Sequence, residues 1–103
     1  MSEKPNGSNN RHHIIRMTAH ARIRALERGI DEIDIERIIN SPIETIYDRY
    51  EETYKSYGIA VDSYTGESRY IIIIHTAFNK YVTIITVMWT DKGGLKEYGF
   101  SKF

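Results

Sequence analysis

Residues 20–30 read HARIRALERGI, and their pattern predicts a helix that begins near Ala19 and ends at Arg28. The small and apolar residues that recur at helical spacing are Ala19, Ile23, Leu26 and Ile30. Thr18 is a suitable N-cap, and Gly29 can adopt the positive φ that a C-cap requires. We therefore expect a short helix that packs its apolar face onto a core.

The same helix carries three cationic or titratable side chains at successive i, i+4 steps, His20, Arg24 and Arg28. Side chains four residues apart lie on the same flank of a helix, so these three form one row, which we call the cationic ridge. Like charges grouped in this way are unfavourable unless an anion or a carboxylate lies between them. The ridge therefore predicts either a bound phosphate or an internal acidic partner.

The chain beyond this helix predicts a second helix and then a sheet. Asp31 is expected to cap the second helix, which ends near Asn40, before Pro42. The hydrophobic pattern then changes from helical to alternating, and the four predicted strands are Ile43–Tyr50, Tyr54–Val61, Arg69–Thr76 and Tyr81–Thr90. Short turn sequences separate these strands, so we expect an antiparallel meander. A further short edge strand is predicted from HHIIRM, residues 12–17, and the tail from Leu95 is expected to lie as a strand along an edge.

These elements predict an α+β fold, in which two N-terminal helices pack on one face of a four-stranded antiparallel sheet. The opposite face is expected to be solvated and available to a ligand. The polar residues 1–11 are predicted to be a disordered leader, and residues 12–103 a single α+β domain.

Composition excludes several classes of protein. The chain has no cysteine, which excludes disulfides, thiol nucleophiles and thiolate metal sites and favours a reducing cytoplasm. Its longest apolar run, residues 70–74, is too short to span a bilayer, and the first ten residues lack the apolar segment of a signal peptide. We expect a cytoplasmic protein with no metal, no other cofactor and no membrane contact.

Charge is unevenly distributed along the chain. The formal net charge is zero, which argues against a protein that coats nucleic acid through bulk electrostatics. Residues 11–28 nevertheless hold five arginines against one glutamate. A local basic patch on a neutral protein suits a small, defined anionic target.

The pattern H-x-x-x-R-x-x-x-R-G-I, followed by an Asp-capped helix, resembles the bacterial domain-of-unknown-function family 4258. The matching residues are His20, Arg24, Arg28, Gly29 and Ile30. The resemblance spans about residues 18–90. That family is in turn similar to the BrnT-type and RelE/ParE-type toxins, small ribonuclease-like or gyrase-directed proteins that are encoded beside antitoxins. The resemblance implies a toxin-like fold, with RNA as a substrate and a cognate antitoxin as a partner.

Metal-independent RNA cleavage needs a base for the 2′-hydroxyl proton, an acid for the 5′ oxygen and cations for the phosphorane. His20 is predicted to transfer protons, and Arg24 and Arg28 are predicted to hold the phosphate. His75, late in the predicted central strand, is the second histidine that we expect to take part in catalysis. The remaining predicted substrate-binding residues, a cation and the tyrosines of the first hairpin, are Arg22, Tyr47, Tyr50, Tyr54 and Tyr57.

The same residues fit an alternative hypothesis without catalysis. Arg24 and Arg28 are equally suited to ion pairs with the first hairpin, which would lock helix to sheet. Their candidate partners are Asp48, Glu51 and Glu52. His75 equally suits a strand-end histidine that is bonded to a neighbour, and tyrosines are common in sheets and at dimer interfaces. The alternative is a non-catalytic protein-interaction or self-associating module, for example a homodimer, with the same fold.

Overall fold

The computed structural model describes residues 13–103. Residues 1–12, which include the predicted leader and the first residue of the HHIIRM segment, lie outside this range. The described chain forms, in order, β1 (Ile14–Met17), α1 (Ala19–Arg28), α2 (Glu32–Asn40), β2 (Glu44–Asp48), β3 (Thr53–Val61), β4 (Ser68–Phe78), β5 (Tyr81–Thr90) and α3 (Lys92–Tyr98). The strands form one sheet in the order β1-β5-β4-β3-β2.

This sheet shows that the predicted fold class is wrong. It has five strands and is mixed, because β2 to β5 pair antiparallel while β1 runs parallel to β5, with Ile14 opposite Tyr81. No hairpin joins β1 to β5, so turn geometry does not set their relative direction. The direction of β1 instead follows from α1, which continues from it through Thr18 and lies against β5. The Thr18 N–H donates to the Ile84 carbonyl oxygen at 3.1 Å at this junction.

Both N-terminal helices begin and end as their capping residues predict. The Thr18 hydroxyl accepts a 3.0 Å hydrogen bond from the Ala21 N–H, and Gly29 ends α1 at a φ of 69°. The Asp31 carboxylate accepts from the Ile33 N–H at 2.9 Å and caps α2. These caps satisfy helix-end groups that would otherwise lack partners.

The buried face of α1 differs from the predicted one. Ala21 and Ala25 face the sheet and are buried, whereas Ile23 is 52% and Leu26 is 73% exposed. Ile30, which follows the helix, is buried as predicted. The helix is therefore rotated so that its small alanines, and not its largest apolar side chains, meet the sheet.

The C-terminal segment forms helix α3 and not the predicted edge strand. The Asp91 carboxylate accepts from the Gly94 N–H at 2.8 Å, and Gly99 ends the helix at a φ of 103°. Leu95 of α3 and the following Phe100 are buried against the sheet face opposite α1 and α2. The prediction of an open, solvated second face is therefore wrong.

The four consecutive isoleucines of β4 alternate between two covered faces of the sheet, and all but the partly buried Ile74 are fully buried. Ile71 and Ile73 pack under α1 and α2, on what we call the upper face. Ile72 and Ile74 pack toward α3, on the lower face. A strand that is covered on both sides shows a continuous apolar run in place of alternation.

Candidate functional site

At the outer edge of β5, helix α1 takes the place of a strand. Only the first four residues of β5 pair with β1. Beyond them the Thr18 hydroxyl donates to the carbonyl oxygen of Ile85 at 3.3 Å, and the Arg28 guanidinium donates to that of Val87 at 2.6 Å. The Trp89 indole N–H donates to the carbonyl oxygen of Arg28 at 2.5 Å. These bonds fix the rotation of α1 about its axis.

The cationic ridge lies on a flank of α1 that this rotation leaves accessible. His20 is exposed, and the Arg24 side chain is 36% exposed. The Nη1 of Arg24 donates to the Glu27 carboxylate at 2.8 Å, one turn along the helix. A surface ion pair of this kind stabilises by less than about 1 kcal/mol, so a phosphate can displace Glu27. Arg28 is half-buried and uses Nη1 for Val87, which leaves other guanidinium N–H groups for a ligand.

Arg22 lies on the other flank of α1 and is not part of the ridge. Residues two apart on a helix differ by about 200° in direction, so Arg22 points away from Arg24. Its Nη1 donates to the Glu32 carboxylate at 3.1 Å and joins α1 to α2. It also lines a groove with Ile15 and Met17 of β1.

The structure separates the predicted tyrosines. Tyr47 and Tyr54 are neighbours on the upper face, with ring centroids 4.9 Å apart, and Tyr50 is exposed in the β2–β3 turn. Tyr57 is buried on the lower face, where its ring meets Phe100 edge-on. Since β2 and β1 are opposite edges of the sheet, four strand spacings or about 19 Å separate Tyr47 from β1. The tyrosines therefore do not line the α1 flank.

His75 is buried in a row of polar groups. It pairs with Tyr54 across the strands, and the two rings stack at 5.7 Å. Its Nε2 lies 2.8 Å from the Ser56 hydroxyl, which lies 2.7 Å from that of Thr45. His75 is only 7% exposed, and this burial lowers its pKa to about 4. A neutral, hydrogen-bonded imidazole matches the structural alternative for this residue better than a proton-transfer role.

The structure does not bring His75 and His20 together. Two strand spacings, about 10 Å, separate β4 from β1, and His20 lies three residues after the end of β1, at the start of α1. Within residues 13–103, no hydrogen bond or ring contact joins the two histidines. His20 and the arginines therefore form the candidate site without His75.

Sequence reasoning missed a groove at the adjoining ends of β4 and β5. It is open, encloses about 740 Å³ and is lined by Ser68, Arg69, Tyr70, Trp89, Thr90, Asp91 and Lys92. The Arg69 guanidinium carbon lies 5.0 Å from the centre of the Trp89 ring, and its Nη1 donates to the buried Asp62 carboxylate at 3.0 Å. Hydrogen bonds from the Tyr64 amide and from Arg69 lower the pKa of Asp62 against the effect of burial. Only the strand register makes Arg69 and Trp89 diagonal neighbours, which the sequence does not show.

Within residues 13–103, no group of three or more histidine, cysteine, aspartate or glutamate side chains is arranged to hold a metal ion. None of the helices in that part of the chain has both the length and the hydropathy needed to cross a bilayer.

Comparison with known proteins identifies the family. The model of the family described as "Domain of unknown function (DUF4258)" matches residues 17–89, from the end of β1 to Trp89. The chain belongs to this family, as its motif around α1 predicts. No curated protein and no solved structure matches the chain.

Proposed function

We propose that this protein is a toxin-like, metal-independent endoribonuclease whose active site is the exposed flank of α1. The observation that carries the proposal is the placement of His20 and Arg24, which stand one turn apart on an accessible flank. The hydrogen bonds from α1 to β5 hold that flank toward solvent. A titratable imidazole beside a guanidinium group is the minimal pair that binds a phosphodiester and moves a proton next to it.

The proposed reaction is transfer of the phosphoryl group to the neighbouring 2′ oxygen. Arg24 binds the phosphate, and His20 takes the proton of the 2′-hydroxyl as the 2′ oxygen forms its bond to phosphorus. The bond from phosphorus to the 5′ oxygen breaks, and the imidazolium returns the proton to that oxygen. The products are a 2′,3′-cyclic phosphate and a 5′-hydroxyl end. Arg24 and the uncommitted N–H groups of Arg28 stabilise the added negative charge of the phosphorane.

A cognate antitoxin and a cytoplasmic location belong to the same proposal. Ile23 exposes a large apolar side chain on α1, about 60° around the helix from His20. An antitoxin that covers Ile23 also covers His20. The absence of cysteine suits a chain that works in a reducing compartment.

The test is cleavage of single-stranded RNA by the purified chain, with and without a chelator, and growth arrest on inducible expression. We expect His20→Ala to abolish cleavage and growth arrest without changing the thermal midpoint, because the side chain is exposed. The matched control is Arg22→Ala, which removes a cation from the other flank of α1 and should retain cleavage. An active His20→Ala variant, or products without cyclic phosphate ends, would exclude the proposed mechanism.

A non-catalytic, self-associating module is the second candidate, and exposed apolar groups on both upper-face helices favour it. Ile23 and Leu26 on α1 and Ile33 on α2 are all more than half exposed. Exposed apolar side chains grouped in this way are typical of interaction surfaces. The proposed occupant is a second copy of the chain. Light scattering should then give a dimer that Leu26→Ser dissociates, and a monomer at all concentrations contradicts this candidate.

A further inference from the structure

We infer that the groove at the adjoining ends of β4 and β5 is a second RNA subsite, so that the substrate is a single strand that extends from His20 along α1 to Lys92. The inference rests on the proposed function and defines its substrate class. In the proposed complex, the cationic ridge binds the scissile phosphate, and the groove binds a nucleotide farther along the same RNA strand.

The ridge leads directly to the groove. His20 and Arg28 are eight residues apart on α1, which corresponds to about 12 Å along the helix axis. At the far end, the carbonyl oxygen of Arg28 accepts the indole N–H of Trp89, and Trp89 is one wall of the groove. A strand that leaves Arg24 along this flank therefore passes Arg28 and reaches Trp89.

The groove carries the groups that bind an unpaired nucleotide. The Arg69 guanidinium, whose carbon lies 5.0 Å from the centre of the Trp89 ring and whose side chain is 40% exposed, offers a planar surface for a base. Lys92 is an exposed cation that lines the groove together with Thr90, and it is suited to a phosphate. The carboxylate of Asp91, which also lines the groove, is engaged by the Gly94 amide at 2.8 Å. The groove is open, and its volume of about 740 Å³ is large enough for a nucleotide.

Asp62 holds the Arg69 guanidinium in place before any ligand arrives. The Asp62 carboxylate is buried, accepts the Tyr64 amide at 2.8 Å and pairs with the Nη1 of Arg69 at 3.0 Å. The Arg69 side chain is still 40% exposed, and only its Nη1 takes part in the ion pair with Asp62. A group that is already ordered loses little conformational entropy on binding.

The fluorescence of Trp89 tests the groove directly, because it is the only tryptophan of the chain. The probes are single-stranded 2′-O-methyl oligonucleotides of two and of six nucleotides, which bind but lack the nucleophile for cleavage. We expect the longer probe to bind about tenfold more tightly and to change Trp89 emission, because only it spans both subsites. Lys92→Ala should remove that length preference and leave binding of the short probe unchanged.

The matched control is Lys96→Ala, which removes an exposed cation of α3 that does not line the groove. It should keep the preference for the longer probe, and both variants should keep the wild-type thermal midpoint. Equal binding of the longer probe by Lys92→Ala and Lys96→Ala overturns the subsite, even when RNA cleavage at His20 is intact. Failure of the wild-type chain to bind either probe overturns the subsite, and the separate cleavage assay then decides the proposed function.

Discussion

The guanidinium group of Arg28 donates a 2.6 Å hydrogen bond to the carbonyl oxygen of Val87, at an edge of β5 that no described strand covers. Arg24, one turn earlier on the same flank, makes only an exposed pair with Glu27. Two arginines that belong to one sequence motif therefore make different kinds of contact. Arg28 holds helix to sheet, and Arg24 is available to a ligand.

This difference predicts unequal effects on stability. Arg28→Ala should lower the free energy of unfolding by about 1–3 kcal/mol, because a hydrogen bond from a charged donor is lost and the Val87 carbonyl loses its partner. Arg24→Ala should change it by less than about 0.5 kcal/mol. Urea denaturation of both variants measures the difference. Equal effects would show that the Arg28 bond contributes nothing to folding.

The burial of His75 predicts that the free energy of unfolding depends on pH. Its pKa is about 4 in the folded chain and near 6.5 when exposed, so the unfolded chain binds the proton first as the pH falls. The free energy of unfolding contributed by His75 is fully present above pH 6.5 and decreases as the pH falls toward 4. The loss over this range is about 3 kcal/mol.

The measurement for His75 is the free energy of unfolding at several pH values between 7 and 4. His75→Gln should flatten the curve in this window, because it removes the group that titrates. His20→Gln is the control, since the side chain of His20 is exposed, and it should retain the wild-type slope. A wild-type slope in His75→Gln would refute the assignment.

Gly29 and Gly66 form a matched pair of left-handed positions, with φ of 69° and 79°. A Cβ on Gly29 would lie 2.9 Å from the Asp62 carboxylate and from the Tyr64 ring, whereas a Cβ on Gly66 meets nothing within 4 Å. Both alanine variants bear a backbone cost of about 1–2 kcal/mol. We expect Gly29→Ala to be the less stable by about a further 1–3 kcal/mol in thermal or urea unfolding, because Asp62 must move. Similar stabilities would contradict the close packing at Gly29.

Gly58 permits α2 to lie directly on β3. A Cβ at this position would be 2.8 Å from Cγ1 of Ile38, so Gly58→Ala should lower the free energy of unfolding by about 1–3 kcal/mol. The cost should shrink when Ile38→Ala is present, because the clashing atoms are gone. A double-mutant cycle measures this coupling, and additive effects would argue against the contact.

The sequence predicted the local elements closely because their signals are local. Thr18, Gly29 and Asp31 cap the helices as expected, and the strands β2 to β5 lie within two residues of their predicted bounds. Helix α3 was missed because Gly93 and Gly94 have low helix propensity, and only the Asp91 cap and burial of Leu95 on the sheet offset it. The BrnT and RelE likeness stays a hypothesis, since the family description names no activity.

The candidate site likewise combines features that local sequence determines with features that only packing determines. Helical periodicity alone places His20 and Arg24 on one flank, but whether that flank faces solvent depends on which side of α1 contacts β5. The alternation of β3 places Tyr54 and Tyr57 on opposite faces, but only the packing of α3 buries Tyr57. The neighbours of His75 and the pairing of Arg69 with Trp89 depend on the strand register, which cannot be read from residues close together in the sequence.

By itself, the sequence determined where most helices and strands begin and end and which side chains share a helix flank, because both depend on residues close together along the chain. Only the tertiary structure decided that β1 lies parallel to β5, that two alanines and not Ile23 and Leu26 form the buried face of α1, and that both faces of the sheet are covered. These outcomes depend on contacts between segments that are distant in sequence, where the free energy of the whole core outweighs the preference of any one segment.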